Sequence, residues 1–344
     1  MIELLKEVGR GKRGARDLTY EEASRAAAQI VSLQATPAQI GAFLMAERIK
    51  MESPDELAAF VDILRQHAAR TPLPPGVDSA GPYDGRRKSY MATFAAAFLL
   101  AAASVPATLH GTASLPPKWG ITLQEMLQSA GIFPHKVARD RAAQIARDTG
   151  VLYAHADTWC PPLAQLRPLR EQLGMRTVFN TAEKLVDYAH SPHVAIGVYH
   201  NTVFERLSAL LQRLAYRNAV IVQGIEGSED LFVGRPTRVL VLRNGRTHRR
   251  DVDPQAYGMD KPTPEIEWTA GEQLRVTEAI LSGSQRCHAA FVHQTLLNAA
   301  LRLELAERAD DLREGIEIGK RALASGQAWQ IYTQWKAAWQ TAAQ

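Results

Sequence analysis

Apolar residues recur at helical spacing near the start of the chain: Ile40, Phe43 and Leu44, then Leu57, Phe60, Val61 and Leu64. Start signals precede these runs. Thr19-Tyr20-Glu21-Glu22, Thr36-Pro37-Ala38-Gln39 and Ser53-Pro54-Asp55-Glu56 each read as a capping box. In such a box the hydroxyl accepts from free backbone N–H groups while the acid or amide reaches back to the cap. The pattern predicts a small helical domain over residues 1–73. Thr71-Pro72-Leu73-Pro74-Pro75-Gly76 ends it, because successive prolines cannot continue a helix, and a hinge is expected there.

After Val77 the pattern changes to short β-branched runs separated by longer helical stretches. Pro106–Leu109, Val151–Ala154, Val194–Tyr199, Ala219–Val222 and Val239–Leu242 read as strands. The intervening stretches suit crossover helices, which predicts an α/β domain with a mainly parallel central sheet covered on both faces. Arg243-Asn244-Gly245-Arg246 is a hairpin signal, since Asn-Gly tolerates positive φ. Leu163–Tyr188 is helical again, with Leu166, Leu169 and Leu173 in one stripe, and the segment 163–190 is expected to return to the helical domain. The α/β domain then comprises 74–162 and 191–344, with a helical tail from Thr269 that ends in a Trp-rich stretch.

The 344 residues are 46% hydrophobic and 22% charged, as expected of a globular chain with a substantial core. The net charge is only +4, but basic residues cluster at Lys6–Arg16, Arg86–Lys88, Lys136–Arg147, Arg167–Arg176 and Arg243–Arg250, while acid gathers at Glu304–Glu317. Local patches matter more to a polyanion than the total. Cys160 and Cys287 stand far apart, which excludes a disulfide scaffold or a cysteine zinc site and fits a reducing compartment. No signal peptide is read at the N-terminus. Met91–Val105 is shorter than the ~20 residues a bilayer needs and reads as a buried helix. A cytoplasmic location without a membrane partner is expected.

The stretch Asp78–Gly131 has the layout of a phosphate site: a Gly-containing loop, a small-residue helix, a short strand and a His-Gly turn. With it, LLKEVGRGKRGARDLTYEEASRAAAQIV, PAQIGAFLMAERIKMESPDELAAF, RTVFN and AIGVYH resemble the anthranilate phosphoribosyltransferase family, over nearly the whole chain and in order. The family is a glycosyltransferase family that shares its fold with pyrimidine nucleoside phosphorylases. The resemblance implies a helical domain hinged to an α/β domain and a homodimer formed through the helical domain. It also implies a phosphate loop at Gly81, Asp84, Gly85 and Gly111, a metal-binding pair at Glu229 and Asp230, and site residues at His110, Arg170 and Asn180.

The motifs depart from that family where its chemistry lies. Its Gly-Thr-Gly-Gly-Asp loop is Gly81-Pro82-Tyr83-Asp84-Gly85 here, its Lys-His-Gly-Asn-Arg is Leu109-His110-Gly111-Thr112-Ala113, and Phe179-Asn180-Thr181-Ala182-Glu183-Lys184 lacks its Gly-Pro. Proline removes an N–H donor, and tyrosine adds bulk where a pyrophosphate needs close approach. One preorganised donor is worth ~10²–10³ in rate, so losing several removes most of the stabilisation of a departing pyrophosphate. The Asp84-Gly85-Arg86-Arg87-Lys88 loop and Asp157-Thr158-Trp159-Cys160-Pro161-Pro162-Leu163 resemble a divergent branch, the YbiB-type proteins, which is associated with nucleic-acid binding rather than transfer.

Two functional expectations follow. The first is non-specific nucleic-acid binding by a catalytically degenerate fold, without cofactor, through Arg86, Arg87, Lys88, Tyr83, Lys118, Lys12, Arg13, Lys136 and Arg139. The alternative is an active transferase on a sugar phosphate with Mg²⁺ on Glu229 and Asp230, served by His110, Arg170 and Asn180. For several residues a plainer role competes. Arg86–Lys88 also reads as a solvated loop, and His110 as a structural remnant. Arg170 reads as a relic or a partner of Glu171 or Glu183. Trp329, Trp335 and Trp339 suit packing as well as base stacking.

Overall fold

The computed structural model describes residues 1–11 and 13–343. Four helices open it: α1 (Ile2–Val8), α2 (Tyr20–Val31), α3 (Pro37–Lys50) and α4 (Pro54–His67). The three capping boxes form as read, with Thr19, Thr36 and Ser53 each accepting from the N–H three residues on. The α/β region follows with β1 (Val77–Ala80), α5 (Ala92–Ala102), β2 (Ala107–Gly111), α6 (Leu123–Ser129), α7 (Arg139–Thr149), β3 (Val151–His155) and α8 (Ala156–Trp159). Next come α9 (Pro161–Leu173) and α10 (Phe179–Ala182). The chain then continues with β4 (His193–Gly197), α11 (Phe204–Arg213), β5 (Asn218–Val222), β6 (Thr237–Arg243) and β7 (Arg246–Val252). It ends with α12 (Ala270–Leu281), α13 (Ala289–Leu305), α14 (Leu312–Ala324) and α15 (Gln327–Ala342). The helix α9 packs against α2, α3 and α4, and α10 against α4.

The seven strands run in the order β3-β2-β1-β4-β5-β6-β7. From β3 to β5 all neighbours are parallel, while β6 and β7 are antiparallel additions at one edge, joined through Asn244 and Gly245, both with positive φ. Asp78 on β1 sits in register between Thr108 of β2 and Val194 of β4. The strand order reverses between β1 and β4, so the loops after their C-terminal ends diverge and leave a crevice, the usual ligand position in an open α/β sheet.

The apolar stretch from Met91 becomes α5, a core helix buried from Ala92 to Leu100. The rings of Phe94 and Phe98 meet Tyr332 and Trp335 of α15 edge-on, Phe98 to Tyr332 at 5.1 Å between centroids. Trp335 and Trp339 are buried, and the Trp335 indole N–H donates to the Val151 carbonyl at 2.9 Å. These tryptophans are packing residues, not a stacking platform. Among the described residues no helix is long and apolar enough to cross a membrane.

Candidate functional site

The loop after β1 carries the unusual chemistry. Gly81 lets Glu229 approach: a Cβ there would lie 2.9 Å from Glu229 Oε2. Gly85 adopts φ +73°, and a Cβ would lie 2.3 Å from the Gly120 carbonyl oxygen, so only glycine suits both the left-handed turn and the close approach. Beyond it Arg86 pairs with Ile121 as an antiparallel bridge, its N–H donating at 2.9 Å and its carbonyl accepting at 2.7 Å. This pins the loop and turns the Arg86 side chain inward.

There Arg86 is buried, not exposed to a polyanion. Its Nη1 donates to Asp230 Oδ2 at 2.7 Å and to the Tyr90 carbonyl at 3.0 Å, and its Nη2 donates to Glu229 Oε1 at 3.1 Å. A second guanidinium closes the cluster. Arg302 of α13 donates to Asp230 Oδ1 at 3.3 Å, to Thr93 Oγ1 at 2.9 Å and, through Nε, to Ser79 Oγ at 3.0 Å. Burial opposes ionisation of Glu229, but Arg86 and Arg302 outweigh it and hold its carboxyl below the ordinary range.

This arrangement does not fit magnesium. A divalent ion on Glu229 and Asp230 would lie against two fixed guanidinium groups. Three of the four carboxylate oxygens are already engaged, leaving only the buried Glu229 Oε2 without a hydrogen bond. The space between Gly81, Tyr83, Arg86, His110 and Glu229 is about 30 Å³, enough for roughly one water and far short of a diphosphate. Among the described residues no cluster of three or more His, Cys, Asp and Glu side chains could hold a metal ion.

Tyr83 and His110 are likewise internal. Tyr83 Oη lies 2.7 Å from His110 Nδ1, and His110 Nε2 lies 3.1 Å from Asp78 Oδ1 without in-line hydrogen-bond geometry. Burial raises the Asp78 carboxyl. Burial also raises the Tyr83 hydroxyl well above its ordinary range. The ring itself is buried against His110, so Tyr83 offers no face to a base. Arg170 forms a buried two-point pair with Glu183, at 2.6 and 3.0 Å. That decides between its candidate partners and removes it as a free site residue of the transferase alternative. Asn180 Oδ1 accepts from the Thr177 N–H at 2.9 Å.

The open part of the crevice lies between the loop after β1 and the end of β4. It is a cavity of about 190 Å³ lined by Asp84, Arg176, Asn180, Lys184, Tyr199 and Glu226, among others. Asp84 accepts from Lys118 and Arg176, each at 3.0 Å. Lys184 donates to the Gly197 carbonyl at 3.0 Å, and burial lowers its ammonium to about 8. Lys118 also donates to the Glu226 carbonyl at 2.7 Å, so it is a cleft residue rather than a free surface cation.

The other cations named from the sequence do not converge. Arg87 and Lys88 are exposed at the crevice, Arg13 is exposed in the helical domain, and Lys12 lies outside the described residues. Lys136 sits over the Phe133 ring at 4.9 Å and Arg139 starts α7, both by the β3 edge and so at the opposite side of the sheet from the basic strand β7. Arg302, Arg176 and Glu226 were not legible as site residues. The one trace of Arg302 is a lone cation in the apolar run of α13.

A helical bundle joined to an α/β domain, with a crevice lined by charges of both signs where the sheet order reverses, defines a two-domain glycosyl transferase architecture. Family models place the chain directly. Residues 2–68 match the helical bundle domain and residues 77–329 the a/b domain of the glycosyl transferase family. The anthranilate phosphoribosyltransferase of Symbiobacterium thermophilum is 31% identical over 339 residues, covering 96% of this chain and 95% of the relative. That of Synechococcus elongatus is 32% identical over 301 residues, covering 86% and 85%. The crystal structure of the Thermus thermophilus anthranilate phosphoribosyltransferase superposes with a TM-score of 0.83 at 23% identity, covering 98% of this chain and 99% of the other. The Saccharomyces cerevisiae protein in complex with PRPP and Mg superposes with a TM-score of 0.83 at 17% identity, covering 99% and 98%. The chain belongs to this glycosyl transferase family and has the anthranilate phosphoribosyltransferase fold.

Proposed function

We propose that the chain binds a phosphorylated sugar in the crevice beyond β1 and β4, and that it does so without a divalent cation. The observation that carries this reading is the pair of guanidinium groups, Arg86 and Arg302, on Glu229 and Asp230, while Lys118, Arg176 and Lys184 remain in or beside the crevice. Family membership and the relatives' shared name support glycosyl transfer as the reaction class. In such a displacement a phosphate leaves the sugar, and fixed cations offset the charge growing on the departing oxygen. The test is a thermal unfolding series in EDTA with ribose 5-phosphate, phosphoribosyl pyrophosphate and a single-stranded oligonucleotide. A rise in Tm with either sugar phosphate is expected; no rise with either would end this reading.

A second reading rests on a separate observation. A groove of about 530 Å³ beside the crevice is lined by Lys88, Arg235 and the exposed ring of Tyr199, together with Glu226 and an Arg238–Asp251 pair. Cations beside an exposed ring suit a nucleic-acid strand, whose log affinity would fall against log salt by about 0.7 per neutralised phosphate. A salt-independent or absent oligonucleotide response excludes it.

A homodimer through the helical domain is also proposed. Leu5, Val8, Ala42, Met45 and Ala46 line a groove of about 1500 Å³, edged by Ile2 and Ile49 at 58% and 79% exposure. An open apolar surface of this kind marks an interaction site, and the family resemblance implies a second copy as its occupant.

A further inference from the structure

Glu226 stands at the junction of the two crevice cavities and lines both. Its carboxylate faces inward, although its residue is on a loop. Oε1 accepts from the Arg87 N–H at 2.8 Å; Oε2 accepts from the Lys88 N–H at 2.9 Å and from the Ser89 hydroxyl at 2.9 Å. Two successive backbone N–H groups and a hydroxyl converging on one anion form an oxyanion cradle. The cations Lys88 and Arg176 line the adjoining cavities, and Lys118 holds the Glu226 carbonyl. Two further acids line the adjoining cavities: Asp84, bridging Lys118 and Arg176, and Asp251, paired with Arg238 at 3.4 Å.

The backbone beneath that carboxylate is held in an uncommon state. Glu226 has φ +58° and ψ +21°, the left-handed region that a residue with a Cβ seldom adopts. The sequence supplies Gly227 next to it, also at positive φ. A loop that places a non-glycine residue there in order to put its acid into a cradle has a conformation to relax into once the acid leaves.

We propose that Glu226 is an intramolecular stand-in for a ligand's phosphate: a phosphomonoester of a small sugar displaces its carboxylate from the Arg87, Lys88 and Ser89 cradle. The proposal rests on the phosphorylated-sugar reading above and adds a regulatory contact to it. Glu226 competes with the ligand, so apparent affinity is the intrinsic affinity reduced by the fraction of cradles left open. Displacement also carries Glu226 out from between the two cavities and joins them.

The test is calorimetric titration of ribose 5-phosphate into the full chain and into Glu226→Gln, Glu226→Ala and Glu226→Ala/Ser89→Ala, in EDTA. Glu226→Gln keeps an acceptor for the loop N–H groups and preserves the fold. Removing the competing charge is expected to tighten binding about tenfold or more, and loss of the Ser89 hydroxyl to reverse part of that gain, a hydrogen bond to a charged group being worth roughly ten- to hundredfold. If the wild-type chain binds ribose 5-phosphate and neither Glu226 variant binds it more tightly, Glu226 is only a loop fastener and the proposal is overturned while the sugar-phosphate reading stands. If neither the wild-type chain nor any variant binds it, the proposal falls, and the sugar-phosphate reading falls with it when phosphoribosyl pyrophosphate also fails to raise the Tm.

Discussion

At the scale of single residues, one exchange of cations organises the site. Arg86 read from the sequence as part of a basic triplet suited to a polyanion, yet its neighbours Arg87 and Lys88 are exposed and it alone turns inward. Nothing local distinguishes the three. What separates them is the bridge to Ile121 and the two acids 143 and 144 residues away, and long-range partners leave no periodic trace. Replacing Arg86 by Ala leaves Glu229 and Asp230 buried with one guanidinium between them, and breaking a buried ion pair in this way costs about 3–5 kcal/mol. Urea unfolding should show that loss, and added MnCl₂ should restore part of it, because the vacated carboxylates then suit a divalent ion. A loss that manganese does not touch would show that the pair has no metal-binding geometry left.

Glu47 gives a pH signature of a different kind. Burial, with Glu56 beside it, pushes its carboxyl up to about 8. The folded state keeps this proton through a window in which the unfolded chain, titrating near about 4.3, has lost it. Its contribution to stability is therefore complete below the unfolded value and disappears as pH rises to about 8. Glu47→Gln is expected to flatten the fall in unfolding free energy between pH ~5 and 8; an unchanged slope would assign that fall to other groups.

At the scale of elements, the legible parts were those with a strong local code. Three capping boxes and the buried run of α5 form where the residues place them. The strands that the pattern passes over are β1 and β7, for opposite reasons. Val77-Asp78-Ser79-Ala80 is central and fully buried, but its polar pair serves the site: Ser79 meets Arg302, and Asp78 meets His110. Arg246–Val252 is an exposed edge strand, rich in charge as such edges are, and only the Asn-Gly turn hints at it. The antiparallel addition of β6 and β7 follows from that turn.

The capping boxes also differ in worth. Glu22 closes an exposed box, whereas Glu56, buried, accepts from the N–H groups of Ser53 and Leu18 and from Lys50, each at 2.7 Å. Glu22→Ala should therefore cost about 1 kcal/mol, as an ordinary cap does. Glu56→Ala should cost clearly more, because the Leu18 and Ser53 N–H groups lose their acceptor and Lys50 loses one of its carboxylate partners. Equal losses in chemical denaturation would contradict the difference.

At the scale of the whole molecule, the two-domain plan was legible through the alternation of helix and strand and through the family resemblance, whereas the strand order, and with it the crevice at its reversal, was not. The closure of the diphosphate position was only half legible. Pro82 and Tyr83 signal lost donors and added bulk, but that Tyr83 turns to His110 and that Arg302 completes the clamp depends on packing across the sheet. Assembly is testable on the same scale. Ile49→Asp places a charge on the open apolar groove of the helical domain. It is expected to shift sedimentation from dimer to monomer with little change in Tm, whereas a wild-type chain that sediments as a monomer would remove the dimer.

The central claim is that an internal guanidinium has replaced the metal in a crevice that still takes a phosphorylated sugar. The measurement that meets it most directly is calorimetric titration of ribose 5-phosphate into the wild-type chain, once in EDTA and once in excess magnesium. Binding in EDTA, with at most a small change on adding magnesium, is the expected result. Binding that appears only when magnesium is present would contradict the account.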